Sequence, residues 1–315
     1  MNAKGKSLMK RHAAIAGCVA LAMFCAGCGV DHVAKKLVAK EENRGILALS
    51  FYPTGEEMVK KQRISLHEVC KGADETPIDV WVIKARGSDG NPAKARATML
   101  VLHSRHENKA SLPYLGAAER LAKKGYDVVL PDLRAHGRSG GDYITYGSKE
   151  KHDLKAVMDT LIREGHVHSD VYVFGVNLSG AVAIHYAAID ERCKGVMAVA
   201  PYLDFPSIAR YQHFAMGEKD IEKAISKAAE MAGFDPGDTN TAAAAEKLKC
   251  PLLIVHGFLD ASAPIEHAKA IYEAAPEPKK LVQPVLERFL TLAFIEDWIA
   301  DQMDGLATKG LPEDK

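Results

Sequence analysis

The chain has 315 residues, 47% of them hydrophobic and 26% charged, with 41 basic and 41 acidic side chains. This is an ordinary globular composition, long enough for one large domain and a leader. A formal net charge of zero argues against nucleic acid as a partner, because no excess of basic residues is there to meet phosphates.

Lys4, Lys6, Lys10 and Arg11 form a basic start. The apolar run 13–24 has the length of a signal-peptide core and is too short to cross a bilayer. It ends in Cys25-Ala-Gly-Cys28, small residues before a cysteine. This resembles a bacterial lipobox, with Cys25 where leucine is usual. The resemblance implies a signal peptide over 1–27 and a lipidated Cys28. It also implies a membrane-tethered segment over 28–62 and a place in the bacterial cell envelope. The charge-rich stretch 35–44 is expected to be helical. Of six cysteines, Cys70, Cys193 and Cys250 lie beyond this leader. An odd, scattered set argues against a disulfide framework and against a metal site, so each is expected to act as a small buried apolar residue.

Alternation over 63–70 and 78–86 predicts two strands, with turns at 72–77 and 87–92. Thr98-Met-Leu-Val-Leu-His103 is a short apolar run, the pattern of a strand buried on both faces. A helix follows over 112–124 and stops at Gly125. Strand 126–131, helix 148–164, strand 170–175, helix 178–190 and strand 194–200 continue the alternation. That order predicts an α/β fold with a mostly parallel sheet and helices on both faces. Residues 203–248 break the rhythm. A helical pattern over 218–232, the turn Asp235-Pro-Gly-Asp238 and an alanine run over 242–245 read as a small helical lid. Strand 251–256, helix 264–275, a short strand near Leu281 and an amphipathic helix to Met303 complete a domain over 63–304. Residues 305–315 form a tail, expected to fray from Ala307.

Residues 173–180 read Val-Phe-Gly-Val-Asn-Leu-Ser-Gly, a strand running into a sharp turn and a helix. With serine at the centre this would be the Gly-x-Ser-x-Gly elbow that presents a nucleophile. Asn177 stands there instead, and a carboxamide has no hydroxyl for a base to activate. Asparagine does tolerate the positive φ that such a turn demands. Three further segments accompany it: Leu100-Val-Leu-His103 with its following loop, Pro131-Asp-Leu-Arg-Ala-His-Gly-Arg-Ser139, and His256-Gly-Phe-Leu-Asp260.

In this order the four segments resemble the α/β-hydrolase superfamily, in its serine-aminopeptidase-like and esterase-like branch, over residues 63–303. The resemblance implies a nucleophile position at Asn177 and a catalytic acid at Asp260. It also implies an oxyanion hole from the backbone N–H groups of Ser104 and Leu178. The triad of this architecture ends in a histidine after the acid. The final histidine here is His267, seven residues past Asp260, and none follows. The stretch 279–284 runs almost directly into an apolar, helix-like segment, so the loop that should carry the histidine is expected to be missing. Ser179 is a weak substitute nucleophile, in the first turn of the helix. His267 reads as a surface residue. His103, His106 and Glu107 suggest zinc only superficially, since no third ligand is indicated. The loop Asp132–Ser139 reads as structural.

These readings predict an envelope lipoprotein that has lost serine-hydrolase chemistry, needs no cofactor or metal, and binds a small acyl or peptide-like ligand or an envelope protein. A weakly active hydrolase and a structural scaffold are the alternatives. An open apolar pocket would favour a ligand, and a filled one with an exposed apolar patch would favour a scaffold.

Overall fold

The computed structural model describes residues 29–40, 52–87, 89–257, 260–283 and 295–313. Cys28 and the stretch 284–294, which bears on the missing histidine loop, lie outside the described residues.

Eight strands form one sheet: β1 (Leu66–Lys71), β2 (Pro77–Ile83), β3 (Thr98–Val101), β4 (Asp127–Pro131), β5 (Val171–Val176), β6 (Cys193–Val199), β7 (Leu252–Val255) and β8 (Lys279–Val282). Their order is β1-β2-β4-β3-β5-β6-β7-β8. β1 and β2 are antiparallel to each other, β2 is antiparallel to β4, and every pair from β4 to β8 is parallel.

The two-residue period of the strands divides the core. Val80 and Val82 face one side, with Leu100, Val129 and Val173. Trp81 and Ile83 face the other, with Met99, Val101 and Val128. The first side is covered by α4 (Glu150–Arg163) and α5 (Leu178–Ala187), together with α8 (Thr241–Ala245) and α9 (Ile265–Ala274). The second is covered by α3 (Leu112–Lys123) and α10 (Ile295–Lys309). Strands this apolar, buried on both faces, specify a sandwiched parallel sheet. The fold is that of an α/β-hydrolase.

The stretch 203–248 is helical between β6 and β7, with α6 (Phe205–Gln212), α7 (Glu218–Ala232), a 3-10 turn (Pro236–Thr239) and α8. Two expectations are corrected. The stretch 28–62 was expected to be a tether, yet α1 (Val30–Val38) packs Val33, Ala34, Leu37 and Val38 into the cluster beneath the insertion. Asp31 pairs with Lys227 of α7 at 2.6 Å. Downstream, α2 (Gly55–Lys60) begins with a capping box of Thr54 and Glu57 and buries Met58 in the core. The charges of 35–40 lie on the outward stripe of an amphipathic helix, and its apolar stripe is what docks. The tail was expected to fray from 307, yet α10 runs to Lys309, with Met303 and Leu306 buried and Tyr126 donating to Asp304 at 2.7 Å.

Candidate active site

The turn between β5 and α5 holds Asn177 at φ 53°, ψ −110°, a conformation costly to any side chain. Its neighbours must be small. A Cβ on Gly175 would lie 2.1 Å from the Ser179 carbonyl oxygen, and one on Gly180 would lie 3.2 Å from that of Val199. The sequence therefore keeps the glycines of the elbow because backbone passes backbone there.

The Asn177 carboxamide is fully engaged. Nδ2 donates to Ser262 Oγ at 2.8 Å and to the Ala200 carbonyl at 3.3 Å. Oδ1 accepts from Ser104 Oγ at 3.4 Å. Ser262 in turn donates its hydroxyl to Asp260 Oδ1, and its backbone N–H reaches the same oxygen at 2.7 Å. Asp260 and the elbow are thus joined through a hydroxyl, where a catalytic triad would join them through an imidazole. Sequence reasoning missed Ser262. The signal was there in Asp260-Ala-Ser262, since an aspartate that accepts from the N–H two residues on is a local turn motif.

Ser104 and Leu178 were expected to supply oxyanion donors. The Ser104 N–H is turned to the Tyr114 hydroxyl at 3.0 Å, and that hydroxyl donates to Glu107. Burial raises the pKa of both Glu107 and Tyr114. Leu178 opens α5, and the first N–H groups of a helix have no partner within it. The two predicted donors therefore differ, with Ser104 committed to the loop behind it.

Ser179 is fully buried and folds its hydroxyl into the elbow, accepting from Val176 N–H at 2.8 Å and donating to the Val176 carbonyl at 3.1 Å. That position serves the turn and leaves no path for attack on a substrate. His267, expected at the surface, is buried, and its Nδ1 accepts from Leu203 N–H at 3.3 Å. The base of the insertion covers it, and burial lowers its pKa.

His103 is wholly buried. Its Nε2 accepts from Leu133 N–H at 3.0 Å, which leaves the proton on Nδ1, donated to the Ser104 carbonyl at 2.9 Å. Burial holds it neutral by lowering its pKa. Among the described residues there is no group of three or more His, Cys, Asp or Glu that could hold a metal ion.

The loop after His103 also reaches outward. Arg105 donates to the Lys36 and Leu37 carbonyls at 3.0 and 3.1 Å and to the Tyr146 hydroxyl at 2.8 Å. It thereby caps the C-terminus of α1, a favourable place for a cation. Behind the same loop, Lys109 Nζ lies 2.5 Å from Asp132 Oδ2 and 2.6 Å from Asp79 Oδ1, the second contact without hydrogen-bond alignment. Tyr52 also donates to Asp132. Desolvation pushes the Asp132 pKa up, but the Lys109 ammonium, with two backbone donors, brings it below the ordinary value. The loop Asp132–Ser139 is structural as expected, with Arg138 N–H on Asp132 at 2.8 Å and Arg134 paired with Asp153 at 2.6 Å.

With this geometry in place, the relatives are informative. Residues 93–235 match the family model "Serine aminopeptidase, S33", which is less than half of the chain and stops short of Asp260. The chain is 22% identical to the uncharacterized protein YqkD of Bacillus subtilis over 241 residues, covering 72% of this chain and 78% of that one. It is 28% identical to human Protein ABHD12B over 219 residues, covering 65% of this chain but only 56% of that one. Among solved structures, the Pyrococcus furiosus esterase Pf2001 superposes with a TM-score of 0.59 at 22% identity, covering 79% of this chain and 92% of that one. The Butyrivibrio proteoclasticus protein Est1E, solved with ferulic acid, does so with a TM-score of 0.59 at 19% identity, covering 75% and 98%. These likenesses define the class as an α/β-hydrolase fold with esterase-like neighbours.

Proposed function

We propose that this chain is an envelope lipoprotein that has kept the fold of an ester or amide hydrolase and works by binding. The observation that carries the loss of catalysis is Asn177 at the nucleophile position, with both donors and its acceptor occupied and Ser262 between it and Asp260. A hydroxyl hydrogen-bonded to a carboxylate is a poor general base compared with imidazole near neutral pH. The occupant is a small acyl or peptide-like ligand or an envelope protein. Packing of Leu178, Ala181, Tyr202 and Ala263 into the cluster under the insertion favours the scaffold alternative, as does the exposure of Phe214, 83%, and Tyr211, 39%.

A second reading, weak ester hydrolysis, draws on Leu178 N–H at the start of α5 and on the esterase neighbours. Oxyanion donors alone support a small residual rate. The deciding experiment measures hydrolysis of short p-nitrophenyl esters and aminoacyl anilides by wild type, Asn177→Ala and Asp260→Ala. The binding role requires equal rates near background. A wild-type rate that collapses in Asp260→Ala establishes an enzyme. The lipid anchor is tested separately: radiolabelled palmitate enters wild type and not Cys28→Ala, and equal labelling rules the anchor out.

A further inference from the structure

Cys193 opens β6 and Cys250 stands just before β7, its neighbour in the sheet. Their Sγ atoms are 3.9 Å apart and both side chains are buried free thiols. Val196 pairs with Leu252 across these strands, which places Cys193 within one residue of the position facing Cys250, a proximity of the kind a disulfide needs. The third cysteine, Cys70, lies on β1 at the far edge of the sheet. The sequence count of three, which argued against pairing, thus resolves into one pair and one bystander.

The pair sits at a particular place in the topology. Cys193 and Cys250 are 57 positions apart, and the chain between them contains the rest of β6 and the entire helical insertion α6–α8. A bond here would tie the chain returning from that insertion to the start of β6, at the end of the strands opposite the elbow. We propose that Cys193 and Cys250 are a redox-active pair, oxidised by disulfide compounds to a bond that staples the insertion to the sheet.

The chemistry balances with a disulfide such as oxidised glutathione as oxidant. The Cys250 thiolate attacks one glutathione sulfur, the glutathione S–S bond breaks, and one reduced glutathione leaves. Cys193, having lost its proton, then attacks the Cys250 sulfur and expels the second glutathione. Two protein thiols are oxidised, one glutathione disulfide is reduced to two thiols, and the two thiol protons go to the leaving thiolates. Cys250 is the attacking group because the hydrogen bond from Cys193 lowers its pKa, outweighing desolvation, with Lys194 adding to the effect. Burial raises the pKa of Cys70 to about 11, which keeps it protonated and inert.

The test treats the reduced full chain with oxidised glutathione, counts thiols after denaturation, maps peptides and records thermal unfolding. Of the thiols of Cys70, Cys193 and Cys250, two should disappear, and the peptides carrying Cys193 and Cys250 should be found linked. Tm should rise by roughly 5–10 °C, the scale expected for closing a loop of this length in a chain this large, and dithiothreitol should reverse the rise. Cys193→Ala and Cys250→Ala should each abolish the linkage and the rise, and Cys70→Ala should retain both. Recovery of Cys193 and Cys250 as free thiols, or as separate glutathione adducts, overturns the pairing. A linked peptide with unchanged Tm overturns the stapling.

Discussion

The elbow and the cluster around Lys109 both lie just past the carboxyl ends of strands, and both are polar networks. They differ in charge and burial. The elbow joins a carboxamide, two hydroxyls and one partly exposed carboxylate. The Lys109 cluster joins an ammonium and two carboxylates, with side chains 0–7% exposed. Neutral hydrogen bonds contribute modestly and can be exchanged, whereas removing one partner of a buried ion pair strands the other charge in a medium that cannot solvate it. At the elbow, the side chains are expected to be replaceable. Where the fold is held, they are not.

The largest expected effect follows from that contrast. Lys109→Ala should destabilise the protein by about 3–5 kcal/mol, because the buried carboxylates Asp79 and Asp132 would lose the ammonium they share. Chemical denaturation at pH 7 measures it, and a loss below 1 kcal/mol would erase the distinction between the two regions. The effect should depend on pH with a definite sign. The folded-state pKa of Asp132 is depressed. Its contribution is therefore full above the unfolded carboxylate value of about 3.9 and is lost as pH falls through the folded value. The gap between wild type and variant should accordingly narrow below about pH 4.

An intermediate effect tests the elbow as backbone. At φ 53°, Asn177→Gly should be more stable than Asn177→Ala by about 1–3 kcal/mol, since both lose the carboxamide and only glycine escapes the strain. Equal stabilities would mean that the turn relaxes. The smallest effects concern the side-chain network. Ser262→Ala should cost about 1 kcal/mol, the worth of ordinary hydrogen bonds. Asn177→Ser should leave ester hydrolysis at the wild-type level, because Ser262 and not an imidazole faces it. A gain of orders of magnitude would reveal a base elsewhere in the chain.

Much of this molecule was legible from residue order. Apolar runs at 98–103, 126–131, 170–175 and 251–256 marked the buried strands. The glycines flanking Asn177 marked a turn that only small neighbours permit. Two sites were misjudged because the deciding contacts are distant in sequence. The stretch 28–62 was expected to be a tether, and only the insertion's apolar surface, about 190 residues away, makes α1 part of the domain. Ser104 was expected to offer its N–H to the site, and Tyr114 takes that N–H.

By itself the sequence determined the α/β alternation, the position of the elbow and the absence of a hydroxyl at its tip. Strand periodicity, steric exclusion around glycine and the chemistry of a carboxamide are local properties. Tertiary structure alone decided that Ser262 bridges Asn177 to Asp260 and that Lys109 is enclosed by two carboxylates. It also decided that Cys193 and Cys250 meet while Cys70 stands apart. Those outcomes depend on which strands become neighbours, and strand order in a parallel sheet is set by how helices and crossovers pack together, which no local pattern encodes.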